Sequence, residues 1–129
     1  MGNTQKTGAL GENFAAEYYE KHGFKIVRRN YHSRYGEIDV IAENDFYLVF
    51  CEVKTRSVNA TVRPSDNVGK SKIKKLTLTA MKYISDVGSD KQPRFDVFEL
   101  WQSGGVIVKS ELIEGAFQGV DFSDSYDVF

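Results

Sequence analysis

Gly36-Glu37-Ile38-Asp39-Val40-Ile41-Ala42 and Phe46-Tyr47-Leu48-Val49-Phe50-Cys51-Glu52-Val53-Lys54 are the two stretches whose reading decides the fold. Both are apolar and rich in β-branched and aromatic residues, and Glu43-Asn44-Asp45 between them is a turn signal, so an antiparallel hairpin is expected. Side chains alternate along a strand, which puts Phe50, Glu52 and Lys54 on one face and Val49, Cys51 and Val53 on the other, where apolar cover is expected. An apolar strand that ends in a carboxylate and an ammonium two residues apart is not ordinary core patterning. A structural ion pair is one explanation; a chemical site is the other.

The hairpin register decides whether a third charge joins them. A two-residue loop at Asn44-Asp45 pairs position 39 with 50 and sets Asp39 diagonal to Glu52 on the same face, roughly 7–8 Å away. It also sets Glu37 directly opposite Glu52, an unfavourable like-charge pairing that makes Glu37 a weak candidate for the site. A three-residue loop would slip the register by one and turn Asp39 to the opposite face. In the first register the two carboxylates need a cation between them. Magnesium, or manganese, suits hard oxygen donors and is commonly held by one or two carboxylates plus substrate phosphate. The Val53 carbonyl is a candidate further ligand, and Lys54 is placed to act on the attacking water and on charge developing at phosphorus.

Outward from this hairpin, Thr7 is a candidate cap for a helix over Gly8 to His22, with Gly23 as its stop. Leu10, Phe14 and Tyr18 form an apolar stripe expected to face the core, while Glu12, Ala15, Ala16 and Tyr19 form a separate face of mostly small residues that would let Glu12 approach the sheet. Glu12 has two readings: a site carboxylate, or an acid favoured by the helix dipole. Phe24 to Val27 reads as a short strand and Arg28 to Arg34 as a basic polar segment. Ser57 to Asn67 reads as a loop. A second helix is expected over Lys70 to Val87, with Ile73, Leu76, Ala80, Tyr83, Ile84 and Val87 on one stripe. Gly88 to Pro93 breaks it, and Phe95 to Trp101 and Val106 to Leu112 read as strands joined by Ser103-Gly104-Gly105. The order α-β-β-β-α-β-β predicts an α/β domain, a mixed sheet of about five strands flanked by helices. One domain is expected over 1–129, with 119–129 an acidic and loosely held tail.

Composition narrows the function classes. Hydrophobic content of 41% is enough for a packed core, so disorder is not expected. The polar opening and the absence of a long apolar run predict neither a signal peptide nor a membrane helix. The single cysteine, Cys51, excludes an internal disulfide and fits the cytoplasm. It reads as a small core residue, and His22 and His32 lack ligand-spaced partners, so zinc is not expected. The net charge of -1 conceals an asymmetry, because 16 of the 17 Lys and Arg fall in residues 1–94 with only 11 of the 18 acids. Lys70, Lys72, Lys74 and Lys75 crowd the start of the second helix, beside Arg28, Arg29, Arg34, Arg56 and Arg63. These are candidate contacts to nucleic-acid phosphates; a solvated helix face is the other reading. Gly69-Lys70-Ser71 is not a P-loop, since Pro64 stands where that motif needs glycine.

Asp39, Glu52-Val53-Lys54 and the element order resemble the PD-(D/E)-x-K nuclease superfamily, with its restriction-endonuclease-like fold. More closely, the chain resembles the YraN-type bacterial family (UPF0102), which is distantly similar to archaeal Holliday junction resolvases. The matching pieces are Gly8-x-x-Gly11-Glu12, Asn30, Gly36-Glu37-Ile38-Asp39, Phe50-Cys51-Glu52-Val53-Lys54-Thr55-Arg56, Lys72, Arg94-Phe95-Asp96 and Ala116-Phe117. Ile38 stands where the superfamily has proline. The resemblance implies metal ligation by Asp39 and Glu52, a catalytic Lys54 and a contributing Glu12. It implies a metal-dependent endonuclease acting on DNA, on branched or single-stranded structures, and junction cleavage would call for a symmetric homodimer. The alternative is a nucleic-acid-binding or assembly module that keeps the fold without turnover; a third reading is a charge network that only stabilises the fold.

Overall fold

The computed structural model describes residues 2–59 and 69–119. Its elements are α1 (Gly2–Lys21), β1 (Lys25–Ser33), β2 (Gly36–Glu43), β3 (Tyr47–Ser57), α2 (Lys70–Val87), β4 (Gln92–Ser103) and β5 (Val106–Phe117), in the α-β-β-β-α-β-β order expected of this sequence. The five strands form one mixed sheet in the order β1-β2-β3-β4-β5. Only β3 and β4 run parallel. Parallel neighbours need a crossover connection, and α2 lies in it.

The alternation of β3 separates two cores. Leu48 and Phe50 join Ile38, Ile41, Leu76, Ala80, Tyr83 and Phe95 beneath α2. Val49 and Cys51 join Ala15, Tyr19, Val40, Ala42, Phe98 and Leu100 beneath α1. The helices therefore cover opposite faces. Cys51 is fully buried, as its place on the apolar face requires.

Helix α1 is longer than the sequence suggests. It begins at Gly2, so Thr7 lies inside it instead of capping it. Its end is a Schellman turn: Gly23 is left-handed (φ 86°), Phe24 N–H reaches Tyr19 O at 2.9 Å, and the Phe24 and Tyr19 rings pack edge to face. The deeply buried face is Gly11, Ala15, Ala16 and Tyr19, whereas Leu10, Phe14 and Tyr18 are only half-buried. Small residues win the inner position because α1 lies close upon β3: a Cβ on Gly11 would collide with the Thr55 hydroxyl.

The segment Arg28 to Arg34 is also corrected. β1 continues through it to Ser33, because an edge strand buries little and tolerates polar side chains. α2 has the predicted bounds, and Gly88 closes it in the left-handed region with its N–H on Ile84 O at 2.8 Å. Of its expected stripe, Leu76, Ala80 and Tyr83 are buried and Val87 is exposed; Leu78 and Thr79 are buried as well. β5 runs on to Phe117, five residues past its predicted end. Of the 57–67 loop and the 119–129 tail, residues 60–67 and 120–129 lie outside the described residues.

Candidate active site

The hairpin turn forms one residue later than the sequence suggests. Asn44 Oδ1 accepts from the N–H groups of Phe46 (2.9 Å) and Tyr47 (2.7 Å), and Asn44 N–H pairs with Tyr47 O. This asparagine turn makes Asp45-Phe46 the loop. The ladder then pairs Val40 with Cys51 and Ile41 with Phe50, two positions away from the register expected. A shift of two preserves the facing of every side chain. Continued one step, it sets Asp39 opposite Glu52 instead of diagonal to it. Glu37 is not opposite Glu52: it pairs across β1 with His32, at 3.2 Å between side chains.

The ladder between β2 and β3 stops where the candidate site begins. Val40 and Cys51 are the last pair, and beyond them Asp39 Oδ2 accepts from Val53 N–H at 2.8 Å. A side chain thus replaces a backbone partner. Asp39 and Glu52 line one cleft of about 180 Å³ with Gly36, Glu37, Lys72, Lys75 and Leu76.

The electrostatics of this cleft are unbalanced. Burial pushes the Asp39 carboxyl up to about 6; the Val53 N–H opposes this, and the charges of Glu12, Glu52 and Glu37 add to it. Glu52 is mostly buried, and its Oε1 is ion-paired with Lys72 from the first turn of α2. Among the described residues its Oε2 has no hydrogen-bond partner. A buried carboxylate oxygen left unsatisfied is costly unless something is meant to bind it.

Lys54 lies beside Glu52 on the same strand face but outside the lining of the cleft. Burial lowers its pKa, Glu52 and Glu99 act to raise it, and Lys72 and Arg56 to lower it. Glu99 is its cross-strand partner on β4 and is almost fully buried. Glu12 is fixed from β1: its Oε1 accepts from Asn30 Nδ2 at 2.9 Å and lies 3.6 Å from Arg29 Nη2. Asn30 holds φ 52°, a region that asparagine tolerates better than most residues.

The structure divides the basic candidates. Lys72 and Lys75 line the cleft, while Lys70 and Lys74 are exposed on α2 outside its lining. Arg56 is half-buried two residues beyond Lys54 on β3. Arg34 is exposed at the β1–β2 turn and folded onto Tyr35, donating to its hydroxyl at 2.7 Å. Arg28 stacks on Tyr31, Arg29 serves Glu12, and Arg63 lies outside the described residues. Two features were not readable beforehand: the pairing of Lys72 with Glu52, and the grip of Asn30 on Glu12. Both bridge elements whose relative placement no spacing rule gives, although these residue types at these positions were visible.

Among the described residues no three His, Cys, Asp or Glu side chains converge as a ready metal cage. The donor set that does fit a cation is Asp39 and Glu52, hard oxygens lining one cleft, of which Glu52 Oε2 has no hydrogen-bond partner among the described residues. Two carboxylates suffice for magnesium, which keeps several waters.

A mixed α/β sheet with facing carboxylates and lysines in a cleft at a strand end defines the class of domain. The family described as "Uncharacterised protein family UPF0102" matches residues 11–100, and the chain belongs to that family. Relatives include a UPF0102 protein of Rhodococcus jostii, 38% identical over 91% of this chain and 100% of its own length. Another, of Caldicellulosiruptor bescii, is 39% identical over 89% of this chain and 99% of its own. A third, of Sulfurihydrogenibium, is 42% identical over 78% and 87%. Among the described residues no helix is long and apolar enough to cross a membrane.

Proposed function

We propose that this protein is a metal-dependent endonuclease of the PD-(D/E)-x-K, restriction-endonuclease-like kind, hydrolysing phosphodiester bonds in DNA. One observation carries the reading: Asp39 and Glu52 line a single cleft with two lysines, where burial first and neighbouring carboxylates second raise the Asp39 carboxyl to about 6, and among the described residues Glu52 Oε2 is unsatisfied. Functional sites are where such unfavourable groupings persist.

Asp39 and Glu52 are the residues that would hold magnesium or manganese, with the Val53 carbonyl as a further oxygen. The bound ion supplies Lewis-acid polarisation of a phosphoryl oxygen and acidifies water. Val53 N–H keeps the Asp39 carboxylate aimed into the cleft. Lys54 donates to the attacking water and offsets charge growing on the non-bridging oxygens as water adds to phosphorus and the ester P–O bond breaks. Glu12, oriented by Asn30 and Arg29, supplies an outer carboxylate that accepts from the water. Lys70, Lys72, Lys74, Lys75, Arg56 and Arg34 would meet flanking phosphates, where the start of α2 adds its dipole to theirs.

A panel of duplex, single-stranded, flapped and four-way-junction DNA with magnesium or manganese tests this, wild type against Asp39→Ala. Metal-dependent cutting that vanishes in the variant supports the reading; cutting confined to junctions would require a dimer presenting two sites. DNA binding without cutting in any metal would favour the binding module.

A further inference from the structure

The ammonium of Lys72 stands where a cation is needed. Asp39 and Glu52 line the same cleft, and the charges of Glu52, Glu12 and Glu37 all reach Asp39. Into this group Lys72 projects from the first turn of α2 and pairs directly with Glu52 Oε1. It satisfies only part of the demand, since Glu52 Oε2 has no partner among the described residues. A lysine is a monovalent point charge with three donors. A divalent ion can take oxygens from both carboxylates at once, and an ammonium held on the same carboxylate pair repels it. The Lys72 side chain is also 45% exposed, so its stem has open solvent to swing into.

Resting on the nuclease reading above, we propose that Lys72 occupies the metal position in the metal-free protein. Binding of a divalent cation displaces it from Glu52, and the released ammonium becomes a phosphate contact at the mouth of the cleft. Lys72 thus keeps the paired carboxylates tolerable in one state and serves the substrate in the other.

Calorimetric titration of manganese alone into wild type, Lys72→Met and Lys72→Arg tests the displacement without any cleavage. Lys72→Met should bind manganese roughly 3- to 30-fold more tightly, because a competing charge is gone while the aliphatic bulk remains. Lys72→Arg, which keeps the charge, should bind no more tightly than wild type. The slope of log affinity against log salt for duplex DNA should fall by about one in Lys72→Met. Equal or weaker manganese binding by Lys72→Met overturns the displacement, and the nuclease reading survives if Asp39→Ala still loses the metal. An absence of manganese binding in both proteins overturns the two together.

Discussion

The two faces of the sheet each bury carboxylates, and treat them in opposite ways. Under α1, Asp96 is 1% exposed and every demand it makes is met. Arg94 grips it with two bonds of 2.9 Å, the Tyr19 hydroxyl donates at 2.7 Å, and Gly115 N–H at 3.0 Å. Burial tends to lower the Arg94 pKa, but its bonds to Asp96 raise it overall. Under the N-terminal end of α2, Asp39 and Glu52 have, among the described residues, one backbone donor and one lysine between them, and an oxygen of Glu52 is without a hydrogen-bond partner. Both groupings bury charge, but only the first is closed upon itself. A saturated carboxylate ties elements together, here α1, β4 and β5. An unsaturated pair is a site that awaits a ligand. Within Arg94-Phe95-Asp96, which the sequence singled out without explaining, Arg94 and Asp96 are a clasp on the face away from the cleft, while Phe95 packs in the core beneath α2.

Exchanging the consequences of the two carboxylates would break this comparison, and the largest effects are expected there. Asp39→Ala should lower metal-dependent cleavage by at least about 1,000-fold, since it removes one of two hard-oxygen ligands. Its unfolding free energy from urea titration should stay within about 1 kcal/mol of wild type, because the lost Val53 bond is offset by relief of carboxylate repulsion. Asp96→Ala should do the reverse on stability, costing roughly 3 kcal/mol or more by leaving Arg94 and the Tyr19 hydroxyl without their partner. Asp39→Ala that unfolds the protein, with Asp96→Ala that does not, would assign the structural role to the wrong face. A narrower split is expected within the cleft: Lys54→Ala should lose cleavage by a comparable factor while retaining manganese affinity in calorimetry, because it acts on water and phosphate.

The sequence carried the faces of the sheet further than it carried its registers. The bounds of α2 were legible from its stripe and from the Gly88 that ends it, although Val87 of that stripe is exposed. Glu52 and Lys54 were legible as a shared face from strand alternation alone. The turn was not, because Asn44 holds two N–H groups with its own side chain and moves the loop by one residue. The error was harmless to the site only because the register moved by two. β1 was read short, since an edge strand lacks the apolar period that marks a central one. Tyr19 and Asp96, 77 residues apart, meet only once α1 is laid on β4, and no local pattern announces such a pair. The same holds for Lys72 and Glu52, on elements separated by a long connection.

The raised Asp39 carboxyl sharpens the contrast through pH. Its folded value of about 6 lies above the ordinary 3.8, so the native state holds this proton more tightly than the unfolded chain does. The resulting stability is complete below about pH 4 and is lost as pH rises through about 6, on the order of 2 kcal/mol in the metal-free protein. Urea titrations in chelator at about pH 4 and pH 7.5, wild type against Asp39→Asn, should show this loss in wild type alone. Manganese affinity should run the other way and rise through the same interval, since the ligand must be ionised. A metal affinity that is flat across pH 5–7 would remove Asp39 from the ligand set.

The smallest expected effect concerns Glu12, whose two readings the geometry brings close to a decision. Asn30 is left-handed at φ 52° and spends its amide on Glu12, with Arg29 beside it. The helix dipole does not account for this acid, since α1 begins at Gly2 and Glu12 lies well inside it; a tie that merely holds α1 to β1 is the reading left beside the site. Asn30→Gly keeps the backbone conformation free of strain and removes only the hydrogen bond. It should change stability by less than about 1 kcal/mol, as one exposed side-chain bond and a gain in unfolded-chain entropy allow. Cleavage should fall about 3- to 10-fold through kcat, with substrate KM little changed, because Glu12 would still be present but less well aimed. Asn30→Ala, which meets the same loss plus a strained left-handed alanine, should show the same kcat and a further stability loss of about 1 kcal/mol. Separation of the two readouts is what the site reading requires. If Asn30→Gly leaves kcat untouched, Glu12 belongs with Asp96 among the residues that hold α1 in place, and the cleft contains two working carboxylates instead of three.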